Sequence, residues 1–303
     1  MNKNNYVTSY INPDTDGIAC SIAMAKFLST KEERWSSVIY GSIEEETLFL
    51  LKELDIPFPD TDSAWNDIDK VVLVDTHHKA QLPTNFPFDK VIAIIDHHPN
   101  GDVDAFPYAR IINEKIGAAA SIVANMYIER DMKDISMLKL LAFAILSNTL
   151  NFSAPSTTDY DRKSFQRICD IVTIDTDLVD GMFEQRSLIL KKDIYITLCA
   201  DFKIFETKVG RVGIAQVEAY NIESLIDVSQ CICALQRIAN ENGLEFCIFN
   251  GVDIKIRKSF VVAANSQSQR LLCSIFKLTE CNSPLIFNRI LLRKTDFIPQ
   301  LNI

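Results

Sequence analysis

The chain has 303 residues, 48% of them hydrophobic, with 9 glycines and 10 prolines, which is enough for two cores rather than one. Its formal net charge of −9 argues against a nucleic-acid partner, because non-specific binding to nucleic acid runs on Lys and Arg displacing counterions. An anionic ligand would have to be held by local cations or by a metal, against the overall field.

In chain order, residues 6–11 read as a first strand and 12–17 as a loop. Residues 18–28 form an apolar helix with small residues suited to packing on a sheet. Residues 36–41 read as a strand and 44–54 as an amphipathic helix. Two runs then end in aspartate, one at Asp75 and one at Asp96. They are continuously apolar and β-branched, as buried parallel strands are. Residues 118–127 and 137–147, rich in Ala, Leu and Met, read as helices. Strands alternating with helices predict an α/β domain built on a doubly wound parallel sheet, with ligands beyond the carboxyl ends of its strands. The composition changes near residue 185. A charged helical stretch at 185–192 precedes strands at 202–205, 209–217 and 244–249, a helix at 224–239 and a strand-like segment at 255–264. The expected organisation is a metal-binding domain at 1–185, a linker at 186–193 and a smaller mixed-sheet α/β domain at 194–303, with a cleft between the domains.

There are eight cysteines. Only Cys231 and Cys233 are closely spaced, and most lie in apolar runs, so buried free thiols in a reducing cytosol are expected. No apolar stretch reaches the roughly 18–20 residues of a membrane span. The polar start, Met1-Asn2-Lys3-Asn4-Asn5, does not read as a signal peptide. A cytoplasmic protein without a membrane partner is expected.

All four histidines fall in two His-His pairs, in Asp75-Thr76-His77-His78 and Asp96-His97-His98. A third acidic cluster, Asn12-Pro13-Asp14-Thr15-Asp16-Gly17, follows the first strand. Asp14 and Asp16 read equally as turn and cap residues or as carboxylates that serve metals. An unpaired carboxylate at the end of a buried strand is expensive, and a cation would explain Asp75. Carboxylates and imidazoles together suit Mn²⁺ or Mg²⁺ in a hydrolytic centre of one or two ions.

These motifs resemble the DHH phosphoesterase superfamily and, within it, the family II manganese-dependent inorganic pyrophosphatases. The likeness is ordered along nearly the whole chain. Asn12 to Asp16, Asp75 and Asp96-His97-His98 match three motifs. Leu146-Ser147-Asn148-Thr149 with Thr158-Asp159-Tyr160-Asp161 resembles a fourth. Asp201-Phe202-Lys203 and Arg293-Lys294-Thr295 are similar to phosphate-gripping segments of the second domain. The resemblance implies metal ligation by Asp14, Asp16, Asp75, His97 and the position of Asn148. It implies a reaction served by Asp16, Asp75 and His98, with His98 beside the leaving or bridging oxygen. It also implies substrate binding by Lys203, Arg293 and Lys294, and closure of the two domains. Two ligand positions depart from the family: Tyr10 stands for a histidine and Asn148 for an aspartate. Both changes weaken metal binding, and loss of the imidazole shifts preference away from Mn²⁺ or Co²⁺ toward Mg²⁺, which prefers all-oxygen sites. His77 or His78 could compensate as ligands. The implied reaction is hydrolysis of a phosphoanhydride, foremost pyrophosphate to two phosphates. A polyphosphate or another phosphoester as substrate, or a chain that binds phosphate ligands without turnover, stands as the alternative. The family also suggests a homodimer through an edge strand at residues 36–41.

Overall fold

Runs of Val, Ile and Leu with no polar interruption need both faces covered, and in this chain they form the middle of a parallel sheet. The computed structural model of the protein describes residues 4–61, 68–225, 227–279 and 282–302, and every count below refers to those. Two units cluster separately, residues Met1–Met182 and Phe183–Ile303.

The first unit contains β1 (Asn4–Thr8), α1 (Thr15–Leu28), β2 (Trp35–Ile39), α2 (Glu45–Glu53), β3 (Asp60–Thr61), β4 (Ile68–Val74), β5 (Val91–Asp96) and β6 (Arg110–Asn113). It continues with α3 (Ala119–Glu129), α4 (Ile135–Asn148) and α5 (Asp159–Cys169), and α6 (Thr176–Arg186) follows. Its six strands lie in the order β3-β2-β1-β4-β5-β6, and every pair is parallel. The chain winds outward from β1 to β3, then returns to the other side of β1 with β4. The order therefore reverses between β1 and β4, and the loops that leave these two strands diverge there. Such a switch point is where doubly wound sheets place their ligands. Val71, Leu73 and Val74 of β4 and Ile94 and Ile95 of β5 are buried. Ala19, Ala23 and Ala25 let α1 approach its neighbours closely, and Tyr127 of α3 donates to the Ala23 carbonyl at 2.7 Å.

The second unit contains α7 (Ile194–Ala200), β7 (Phe202–Thr207), β8 (Gly210–Ala219), α8 (Ile222–Leu225) and α9 (Val228–Asn242). β9 (Phe246–Asp253), β10 (Lys258–Ala263), α10 (Ser266–Ile275), β11 (Leu285–Phe287) and α11 (Ile298–Leu301) complete it. The five strands lie in the order β11-β10-β9-β8-β7. Only β8 and β9 run parallel; the other pairs are antiparallel. Alternate residues of β8 serve two cores. Ala215 and Val217 join Leu235, Ile238 and Phe249, whereas Val212 and Ile214 join Ile248, Leu291 and Phe297. That period of two covers both faces of the sheet.

Four expectations need correction. The first strand stops at Thr8, and Tyr10 and Ile11 lie in a bend. Residues 186–193 are no free linker: Ser187–Lys191 forms a 3₁₀ turn in which Leu190 joins the second unit's core, and Ser187 Oγ accepts from Tyr220 N at 2.8 Å. Strand β2 is not an edge, because it pairs with β1 on one side and β3 on the other. Of the cysteines, Cys20, Cys231 and Cys247 are buried free thiols, Cys199 and Cys233 are exposed, and Cys273 is in a disulfide. Cys281 and the start Met1-Asn2-Lys3 lie outside the described residues. Among the described residues, no helix is long and apolar enough to cross a membrane.

Candidate metal centre

Strand β4 delivers Asp75 to the switch point in an unusual conformation. Its φ is +58°, the left-handed region that Asp and Asn tolerate better than other non-glycine residues. A backbone hydrogen bond from Asp75 N to Ile95 O, at 2.8 Å, holds the turn against β5. The side chain is buried, and its Oδ1 has no hydrogen-bond partner. His97 Nε2 lies 3.1 Å from that oxygen and His98 Nδ1 3.9 Å from it. Burial, then the negative charges of Asp16 and Asp14, push the Asp75 carboxyl well up.

Asp96 ends β5 and organises the histidines. Its Oδ1 accepts from the backbone of His97 (2.7 Å) and His98 (3.1 Å) and meets His98 Nδ1 at 2.8 Å. Its Oδ2 meets Nδ1 of buried His77. Burial would raise its pKa, but the contacts from His98 and His77 outweigh that and bring it to about 2. Asp96 is therefore a fixed anion, with Nδ1–H of each ring as its donor, which leaves Nε2 of His98 as the free ring nitrogen. Gly101 makes room for this arrangement, since a Cβ there would stand 1.9 Å from His77 Cδ2. His97 is oriented separately: its Nδ1 faces the Ile116 carbonyl at 3.0 Å, so Nε2 points at Asp75. Burial works against charging His97, but Asp75 and Asp16 prevail and raise its pKa to about 10.

Asp14 caps α1 and accepts from Gly17 N at 3.1 Å. Tyr10 turns its hydroxyl toward the same loop and accepts from Asp14 N at 3.1 Å. Burial, then Asp14 and Asp75, hold the phenol well above its usual pKa, so it stays neutral. Asp16 is fully buried and accepts from the first amides of α3, Ala119 N at 2.7 Å and Ala120 N at 2.8 Å. That is a helix N-terminus holding an anion. Burial still raises the Asp16 carboxyl to about 7. Asn148, at the end of α4, turns its amide nitrogen to Asp16 Oδ2 (3.1 Å) and to the Gly117 carbonyl (2.9 Å).

The structure thus brings Asp75, His97 and His98 together. One ligand atom from each lies within 4.8 Å of the others. The orphaned Asp75 oxygen beside an imidazole nitrogen fits a divalent cation, and mixed oxygen and nitrogen donors suit Mn²⁺ better than Mg²⁺. Asp16, with Asn148 donating to it, stands behind that group. His77 and His78 do not join it. His77 is engaged by Asp96, and the His78 ring centroid lies 6.4 Å from that of His98.

In the second unit, Arg293 departs from expectation. It is buried, and its guanidinium donates to the Asp201 carboxylate (2.6 Å), the Asp201 carbonyl (2.6 Å) and the Ile214 carbonyl (3.0 Å). Its two terminal nitrogens are thus engaged within its own domain, and Nε is buried without a hydrogen-bond partner. Lys203 lies 3.4 Å from Asp201. Lys294 is exposed, and partial burial of its ammonium, then Lys203 and Arg293, lower its pKa.

Reading the sequence missed Asp96 as the hub of two rings, although the residue opens the Asp-His-His run. It also missed Gly101, which carries no motif. The amides of Ala119 and Ala120 had one signal, the small-residue run Gly117-Ala118-Ala119-Ala120 that allows close approach.

The chain is similar to known proteins along nearly its whole length. Residues 4–145 match the model of the DHH family, N-terminal domain, and residues 180–302 match the DHHA2 domain. The chain is 28% identical to the manganese-dependent inorganic pyrophosphatase of Methanocaldococcus jannaschii over 314 residues, covering 98% of this chain and 97% of that one. It is also 28% identical to that of Methanothrix thermoacetophila, covering 99% and 98%. A crystal structure from Methanococcus jannaschii, described as a family II inorganic pyrophosphatase, superposes with a TM-score of 0.72 at 25% identity, covering 98% of each chain. An exopolyphosphatase-related protein from Bacteroides fragilis, at 12% identity and a TM-score of 0.52, shares the fold.

Proposed function

We propose, for a chain that belongs to the DHH family through its first domain and carries a DHHA2 second domain, that it hydrolyses inorganic pyrophosphate to two phosphates with a divalent cation. The observation that carries this reading is the unpartnered buried oxygen of Asp75 facing His97, in a chain aligned end to end with manganese-dependent pyrophosphatases. When bound, the cation supplies Lewis acidity at a phosphoanhydride oxygen.

The chain's residues have separable tasks. Asp75 and His97 Nε2 hold the cation, with Asp14 adding charge nearby. Asp96 locks His98 with Nδ1–H inward, so that Nε2 is presented to substrate as acceptor or, when the ring is protonated, as donor to a leaving oxygen. Lys203 and Lys294 neutralise phosphate oxygens, and Arg293 positions Asp201, the residue that precedes β7.

The test is phosphate release from pyrophosphate and tripolyphosphate with Mn²⁺, Mg²⁺ or Co²⁺, with Asp75→Asn as control. Pyrophosphate turnover that the variant abolishes supports the reading. Turnover of tripolyphosphate alone would move the substrate to longer chains, and silence from a folded, metal-loaded protein would end the hydrolase reading.

A further inference from the structure

The geometry points to a centre that takes one divalent cation, at Asp75 and His97 with Asp14 beside them, because Asn148 has turned Asp16 from a ligand into a buried anchor. A carboxylate offers about four lone-pair directions. In Asp16 all four have donors. Oδ1 accepts from Ala120 N (2.8 Å) and Cys20 Sγ (3.5 Å), and Oδ2 accepts from Ala119 N (2.7 Å) and Asn148 Nδ2 (3.1 Å). No direction is left for a cation.

The orientation of Asn148 is not interchangeable. Its nitrogen also donates to the Gly117 carbonyl at 2.9 Å, a group that can only accept. Turning the amide over would set its oxygen against a carbonyl and a carboxylate together. The nitrogen that faces the cluster cannot coordinate a metal, because its lone pair is delocalised into the amide.

Charge leads to the same count. Asp96 spends both oxygens on His98 and His77, and Asp16 is bound to a helix N-terminus. Asp75 and Asp14 remain, and their two negative charges balance one divalent ion. Paired ions in two-metal centres sit only about 3.5–4 Å apart, and a second dication would add charge with no further carboxylate to offset it.

This inference rests on the cation in the proposed function and not on turnover. The experiment uses the full chain, stripped with chelator and titrated with Mn²⁺. Ions per chain are counted by equilibrium dialysis, and spin coupling is read by electron paramagnetic resonance. The expected result is one tightly bound Mn²⁺ with an uncoupled spectrum, lost in Asp75→Asn. Asn148→Asp, which replaces the donor by a carboxylate, is expected to bind two, with the dipolar broadening of a close pair. Two coupled ions in the unaltered chain would overturn the inference, as would a folded Asn148→Asp that still binds one. If Asn148→Asp fails to fold, the count in the unaltered chain decides alone. A count of one without phosphate release would sink only the hydrolase reading; a count of two with release would sink only this one.

Discussion

At the carboxyl ends of β4 and β5, an anion is buried with nothing to neutralise it fully. Beside Arg293, a buried cation is met by Asp201 and two carbonyls. The Asp75 carboxyl is pushed up and has an orphaned oxygen, whereas the terminal nitrogens of Arg293 meet a carboxylate and two carbonyls and only its Nε is unpartnered. A buried charge without a protein partner marks a place prepared for a ligand, and one with partners marks structure. The rule also separates Arg293 from its chain neighbour Lys294, whose pKa is lowered by partial burial first and then by Lys203 and Arg293, with Asp201 opposing them.

The comparison breaks most sharply if Asp75 proves dispensable. Asp75→Asn keeps the shape and removes the charge, and it should lower phosphate release at least about a thousandfold through lost metal binding. Its melting temperature without metal should fall by only a few degrees, since the amide keeps the shape but removes the anion that stabilises charged His97. The reverse pattern is expected from Asp201→Ala. Loss of the partner of a buried guanidinium should destabilise the second unit by about 2 kcal/mol, measured by urea unfolding.

The pH dependence of the metal-free protein sharpens the contrast. Asp16 has its pKa raised from an ordinary 3.8 to about 7, so the stability its protonated form gives is present below about pH 4 and lost as pH rises through 7. The His97 contribution, with a pKa raised to about 10, is complete below about pH 6.5 and lost on rising through 10. Both slopes have one sign, so the melting midpoint should fall from weakly acid to alkaline pH. Added Mn²⁺ should flatten or reverse that fall, since a metal binds the deprotonated ligands; scanning fluorimetry across pH reads both. The smallest effect is reserved for Lys294→Met. It should raise KM for pyrophosphate about tenfold while the melting temperature stays within a degree or two, because the lost charge was repelled rather than paired.

What was legible in the chain depended on whether the partner was near in sequence. Asp75 and Asp96-His97-His98 stood out because β-branched runs announce buried strands, and polar residues at their ends need a reason. The two-domain α/β architecture followed from the same periodicity. The surroundings of Asp16 were not legible: its donors are backbone amides 103 and 104 residues away, and a backbone amide leaves no residue-type signal. The roles of Arg293 and Asn148 were hidden for a related reason. Residue type tells that a guanidinium or an amide is present, but not whether a carbonyl such as that of Ile214 or Gly117 already holds it.

The left-handed backbone of Asp75 narrows what could ever replace it. At φ +58°, glycine and asparagine are the other residues that fit without strain, and neither carries a charge. Glutamate, the substitute that would keep the carboxylate, is disfavoured by the backbone before its longer reach matters. The two residues that fit this backbone with least strain both discard the anion, so backbone shape and charge are tied together at this one position.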